Sequence, residues 1–155
     1  MKAPDTDQAT RLARGRRLKT MRTAAGLSQS QLAASMSARY SVSRYETGSR
    51  DAGNMTLGMA SKLATALDMD VDTFTRTLLD IPTWSTLPAR RYETLKRRLR
   101  RLGHTQAWLA EQTGLTPLQV SRYATGDTYL TQLSLERATR IAQTVQADLA
   151  DLTQW

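Results

Sequence analysis

Groups that bind metals, attack carbonyls or move protons are sparse in this chain. There is no cysteine and a single histidine, His104. That excludes thiolate zinc sites, iron–sulfur clusters, disulfides and cysteine nucleophiles. His104 stands alone beside a helix cap, so no histidine-based triad is visible. Asp68, Asp70 and Asp72 alternate. They lack the loop with a central glycine and terminal glutamate that calcium requires, and read better as shaping a turn. Ser43 and Ser121 each follow a valine, but neither has a base near it in sequence. No glycine-rich phosphate loop with a lysine is present. The expectation is a protein with no catalytic, metal or cofactor site. What remains is cationic and polar recognition. Lys plus Arg is 22 and Asp plus Glu is 14, a formal charge of +8 over 155 residues. Basic side chains gather at Arg11, Arg14, Arg16 and Arg17, and again at Lys96, Arg97, Arg98, Arg100 and Arg101. That chemistry suits a polyanion.

These side chains must be positioned by elements that occur twice. Gln29-Ser30-Gln31-Leu32-Ala33 corresponds to Gln106-Ala107-Trp108-Leu109-Ala110, 77 positions on. Val42-Ser43-Arg44-Tyr45-Glu46-Thr47-Gly48 corresponds to Val120-Ser121-Arg122-Tyr123-Ala124-Thr125-Gly126, 78 positions on. One residue is therefore missing from the first copy, which has Ser37-Ala38 where the second has Gly114-Leu115-Thr116. The later register persists through Leu57 and Leu135, Ala60 and Ala138, Leu63 and Ile141. Such self-similarity marks repeated structural units. Charge divides evenly too: residues 1–75 and 76–155 each hold 11 basic and 7 acidic side chains, or +4.

Both copies read as short helices, and the expected fold class is all-α. In the first copy the helices are expected at residues 12–25, from Ser28, at 39–46, at 56–67, and around Met69 to Phe74. Ser28 with Gln31 forms a capping box, and Gly26 and Gly48 end helices. In the second copy Thr105 and Thr116 are caps, and Pro117 takes the first helical position, where its missing N–H costs nothing. Pro82 and Pro88 break the helical pattern between the copies. The expected boundaries are a flexible tail over 1–10, a first domain over 11–76, a linker over 77–90 and a second domain over 91–155; the stretch from Leu78 to Trp84 is more apolar than a free linker, with docking between the halves or against another chain as its alternatives. Met21 aligns with Arg98 and Arg22 with Leu99, which predicts a rotated first helix in the second copy.

This layout resembles the lambda-repressor-like helix-turn-helix family, the Cro/C1 or xenobiotic-response-element type, in two tandem copies. In the first copy the resemblance rests on Leu18, Met21, Arg22, Gly26, Leu27, Ser28, Gln29, Leu32, Ala33, Val42, Ser43, Tyr45, Glu46 and Gly48. In the second it rests on Gly103, Thr105, Gln106, Leu109, Ala110, Gly114, Leu115, Thr116, Val120, Ser121, Arg122, Tyr123 and Gly126. It implies about five short helices per domain, with the third entering the DNA major groove. Base contacts are then implied for Arg39, Tyr40, Ser41 and Arg44 in the first copy. Pro117, Leu118, Gln119 and Arg122 take that role in the second. Gln119 would read adenine, Leu118 a thymine methyl, and Arg122 a guanine or a phosphate. Backbone or second-helix contacts are implied for Ser28, Gln29, Ser43, Thr105, Gln106 and Ser121. Arg17, Lys96 and Arg97 join them as phosphate contacts. For Gln29 and Gln106, simple capping polarity is the competing reading.

The implied function is a sequence-specific regulator of transcription that binds double-stranded DNA, a repressor by promoter occlusion. Two alternatives stand beside it: a protein-interaction module that keeps the fold, and an accessory architectural or recombination factor. Two units in one chain remove the need for a homodimer without forbidding one. Trp84, Trp108, Trp155 and Ile81 are the interface candidates, with local packing as the other reading of Trp108. No small-molecule effector is evident. No run approaches the ~18 apolar residues of a membrane span, and the polar start from Met1 to Asp7 is unlike a signal peptide. The expected location is the cytoplasm, on the nucleoid when DNA is bound.

Overall fold

A computed structural model describes residues 7–36 and 42–155. The described residues are helical with no extended strand, an all-α fold. By contacts the chain divides into two compact units: Met1–Met55 with Met59–Ile81, and Thr56–Gly58 with Pro82–Trp155.

In the first unit α1 spans Gln8–Ala24, α2 Gln29–Ala33, α3 Val42–Glu46, α4 Leu57–Ala66, which belongs to this unit from Met59 onward, and α5 Val71–Leu79. Helix α1 begins inside the stretch expected to be a tail. Asp7 caps it by accepting from the Thr10 amide at 2.8 Å and the Thr10 hydroxyl at 3.0 Å. These bonds satisfy otherwise orphaned donors. They also hold the Asp7 carboxyl below its ordinary range. Ser28 and Gln31 form the expected capping box of α2. Asp70, one of the three alternating carboxylates, caps α5 through the Thr73 amide at 2.7 Å. Asp68 occupies the left-handed turn before it, at φ 55°.

Leu18, Leu32, Leu57, Leu63, Phe74 and Leu78 are fully buried. Gly15 sets how closely α1 approaches the end of α3. A methyl group there would overlap the carbonyl oxygens of Tyr45 and Glu46. Those oxygens are backbone, so relief requires the helices to part.

In the second unit α6 spans Leu95–Leu102, α7 Gln106–Thr113, α8 Pro117–Thr125, α9 Leu135–Thr144 and α10 Leu149–Leu152. Thr94, Thr105, Thr116 and Ser134 cap α6 to α9. Gly103, Gly114 and Gly126 end the first three with φ of 74°, 73° and 82°, the conformation that glycine alone adopts without strain. Leu95, Leu99, Leu109, Val120, Leu130, Leu135, Ile141, Val145 and Leu149 are buried between them.

Arg98 lies in the same interior at 0% exposure. It donates to the carbonyls of Val145 at 3.0 Å, Gln146 at 2.8 Å and Leu87 at 2.8 Å. A fourth bond, at 3.0 Å, goes to the Glu93 carboxylate. The predicted rotation of this helix does not occur. Met21 and Arg22 are both buried, and so are their counterparts Arg98 and Leu99. The same two positions face inward, and only the order of arginine and apolar residue is exchanged.

The expected linker over 77–90 is divided between elements. Its first three residues complete α5. From Pro82 onward the chain lies on the second unit. The Trp84 indole donates to the Ala147 carbonyl at 2.9 Å, and the Leu87 amide to the Gln146 carbonyl at 2.8 Å. Arg101 donates to the Pro88 carbonyl at 3.0 Å. These bonds tether a largely exposed segment to the second unit.

Two outcomes follow. Gly15→Ala lowers the stability of the first unit by about 2 kcal/mol, the usual cost of overpacking, measured by thermal unfolding. Burial pushes the Glu93 carboxyl up, but the Arg98 hydrogen bond, the Arg90 amide and the Arg98 and Arg101 charges outweigh it, so its pKa is lowered. Stability from this group is therefore present above the unfolded pKa and lost as pH falls through the folded one. Glu93→Gln should flatten the acid limb of the stability profile while lowering stability at neutral pH. An unchanged acid limb would show that another carboxylate controls it.

Candidate nucleic-acid interface

Helices α2 and α3 in the first unit, and α7 and α8 in the second, are the consecutive pairs that carry the predicted contact residues. On α8 the split between faces is sharp. Val120 and Ala124 are buried, while Pro117, Leu118, Gln119 and Arg122 are exposed, Leu118 to 61%. Thr116 and Gln119 close a capping box: the Gln119 amide donates to the Thr116 hydroxyl at 3.2 Å, and the Gln119 side-chain carbonyl accepts from the Thr116 amide at 2.9 Å. That bond engages one lone pair of the side-chain oxygen, the acceptor that a bidentate adenine contact would use. Ser121 is half-buried beside them.

On α3, Arg44 is exposed and Ser43 half-buried, while Val42, Tyr45 and Glu46 face inward. Arg39, Tyr40 and Ser41 lie outside the described residues. Ser28 and Thr105 act as caps of α2 and α7.

Gln29 is exposed but tethered: its side-chain NH2 donates to Glu46 Oε2 at 2.6 Å. Glu46 Oε1 accepts from Arg22 Nε at 2.8 Å, and Arg22 also donates to the Leu27 carbonyl at 2.9 Å. Arg22 and Glu46 are each 8% exposed. One buried ion pair thus joins α1, the start of α2 and the end of α3, and aims the Gln29 amide. Sequence reasoning matched these residues one at a time and missed the network. The signal was present in the repeat. Where the first copy has Arg22 and Glu46, the second has Leu99 and Ala124, so both partners change together. Gln106, half-buried at the start of α7, has no carboxylate at that position to hold it.

The predicted phosphate contacts separate into engaged and outward groups. Arg17 donates to the Leu78 carbonyl at 3.0 Å and pairs with Asp80 at 3.6 Å, so it serves the C-terminus of α5. Arg14, from the same basic series, is buried against Asp51 at 2.9 Å. Lys96 and Arg97 are exposed, and Arg97 donates to the Tyr92 carbonyl at 2.7 Å.

The four interface candidates have local surroundings. Trp108 stacks on His104 with centroids 3.6 Å apart. Trp155 lies under the Arg98 guanidinium at 5.3 Å. Trp84 donates to Ala147 as described, and Ile81 is half-buried. Among the described residues no cluster of His, Asp or Glu has the makings of a metal site, and no helix is long and apolar enough to cross a membrane.

A Helix-turn-helix family model matches residues 18–74. Those residues are similar to a helix-turn-helix domain, which supports a DNA-binding, regulatory role in general terms. No curated protein and no solved structure matches the chain.

Glu46→Ala should destabilise the first unit by about 3–5 kcal/mol, because it leaves Arg22 buried without its counter-charge. Adding Arg22→Leu installs the pair found in the second copy and should recover most of the loss. If thermal melts show the double variant no more stable than the single, the ion pair is not the cause.

Proposed function

We propose that the protein is a sequence-specific, double-stranded DNA-binding regulator of transcription that carries two lambda-repressor-like domains, each of about five short helices, in one chain. The observation that supports this reading best is the pairing of a helix-turn-helix match over residues 18–74 with a second helix pair, α7 and α8. The outer face of α8 presents Pro117, Leu118, Gln119 and Arg122 to solvent. Helix α8 and the α3 segment are the two recognition elements, so one chain engages two major-groove sites.

The two readers differ in chemistry. The second offers an apolar Leu118 for a thymine methyl, Gln119 for a base edge and Arg122 for guanine or phosphate. The first offers Arg39, Tyr40, Ser41 and Arg44. Ser28, Gln29, Thr105 and Gln106 hold the backbone from the helix starts, where amide donors and the helix dipole favour phosphate, and Ser43 and Ser121 contact it from within α3 and α8. Lys96 and Arg97 add charge. Occlusion of a promoter, that is repression in the cytoplasm, is the mode that needs no further effector domain.

Selection of bound duplexes from a random pool, followed by footprinting, tests the reading. The expected result is a defined motif with two unequal half-sites. Gln119→Ala should relax preference at one base pair, by about 1–3 kcal/mol of discrimination, with little change elsewhere. A pool that yields no enriched motif, with binding insensitive between about 50 and 200 mM salt, would favour a protein-interaction module instead.

A further inference from the structure

At the entry to α6 the chain makes a tight turn over residues 90–93. The Glu93 amide donates to the Arg90 carbonyl at 3.0 Å, and the Arg90 amide donates back to the Glu93 carboxylate at 3.0 Å. Tyr92 sits in this turn at φ 60° and is 72% exposed. A non-glycine residue with positive φ is uncommon, and such positions gather at ligand clamps. Glu93 is held from the inside by Arg98 at 3.0 Å and Arg101 at 3.2 Å. The turn is thus fixed to the buried core, and its outer side is a concavity of about 170 Å³ lined by Arg90, Arg91, Glu93, Arg97 and Arg101.

Four guanidinium groups and one carboxylate give this lining a formal charge of +3. The carboxylate is already committed to Arg98 and Arg101. Arg97 and Arg101 stand four residues apart on one helix face, an arrangement in which like charges repel. Arg97 is oriented by the Tyr92 carbonyl at 2.7 Å, and Arg91 lies over the Tyr92 ring at 4.9 Å. Both are exposed, and each guanidinium carries five N–H donors. Cationic forks gathered around a small concavity match the oxygen geometry of a phosphate group. The volume holds several waters at ~30 Å³ each, enough for one such group.

We infer that the Arg90–Arg91–Arg97–Arg101 concavity is a phosphate-binding site. The phosphate comes either from a DNA backbone or from a free phosphorylated anion. Neither source involves the exposed face of α8, so the site stands apart from base reading.

The test uses the full chain and inorganic phosphate at constant ionic strength, followed by NMR of the arginine side-chain Nε–Hε signals. Saturable shifts at Arg91 and Arg97 are expected. Arg91→Ala with Arg97→Ala should weaken phosphate binding at least about tenfold, the effect of losing two charge-assisted contacts. Arg16→Ala with Lys19→Ala, at exposed positions on α1, should leave it unchanged. A duplex arm separates the sources. If the site takes a DNA phosphate, phosphate competes with duplex, and the double variant lowers the salt slope by about two. If it takes a free anion, Arg91→Ala alone weakens phosphate binding while duplex affinity holds. Either outcome supports the site, and the phosphate arm reads out even if no duplex binds at all. Shifts matched by chloride, or identical in the double variant, would overturn it. Should that variant lose its cooperative melt, Arg91→Gln alone carries the comparison.

Discussion

An arginine guanidinium carries five N–H donors and does not lose its charge at any ordinary pH. Wherever it is buried, carbonyls and a carboxylate must be brought to it. Each unit of this protein contains such a group at the inner face of its first helix. In the second unit Arg98 gathers the carbonyls of Leu87, Val145 and Gln146 and the carboxylate of Glu93. Those partners come from the entering segment, the turn before α6 and the end of α9. In the first unit Arg22 gathers Glu46 and the Leu27 carbonyl. The apolar cores explain why the helices collapse. The buried guanidinium favours the meeting of those ends, because a buried charge without its counter-charge is costly.

The two solutions position different things. In the first unit the carboxylate bridges Arg22 to Gln29, so core electrostatics reach an exposed side chain at the start of α2. In the second the carboxylate belongs to the turn that carries Arg90 and Arg91, so the same kind of pairing shapes a cationic concavity. Leu99 and Ala124 occupy the places of Arg22 and Glu46, and Gln106 is left without a carboxylate tether. The sequence repeat therefore carries different polar wiring in its two copies. A buried ion pair does not add much net stability over an apolar pair of similar volume. That near-neutrality allows two copies to differ here while retaining their helices.

Much of the helical framework was legible from local chemistry. Ser28 with Gln31, Thr105, Thr116 with Pro117, Gly103, Gly114 and Gly126 signal helix ends through hydrogen bonding and φ preference within a few residues. The start of α1 was missed because Asp7 caps from within a polar stretch that resembles a tail. The exposed face of α8 was readable because Val120 and Ala124 fix its inner side by period. Arg17 and Arg14 were not readable as structural groups. An arginine in a basic run has the same local signature whether it meets a phosphate, a helix C-terminus such as Leu78, or a carboxylate 37 residues away such as Asp51.

The sequence by itself determined the all-helical class, the twofold repeat with its single missing residue, the capping of most helices, and the absence of cysteine chemistry. All of these depend on neighbours in the chain or on counting. Tertiary structure alone decided that residues 82–90 belong to the second unit, that Arg98 is interior while Arg97 is outside, and that Gln29 is tethered to Glu46. The reason is the reach of the groups involved. Caps and turns are satisfied within three or four residues, whereas a buried charge or an indole N–H takes its partner from wherever the fold delivers one. Trp84 finds Ala147 and Arg98 finds Gln146 across separations of 63 and 48 residues, and no local pattern encodes such a meeting.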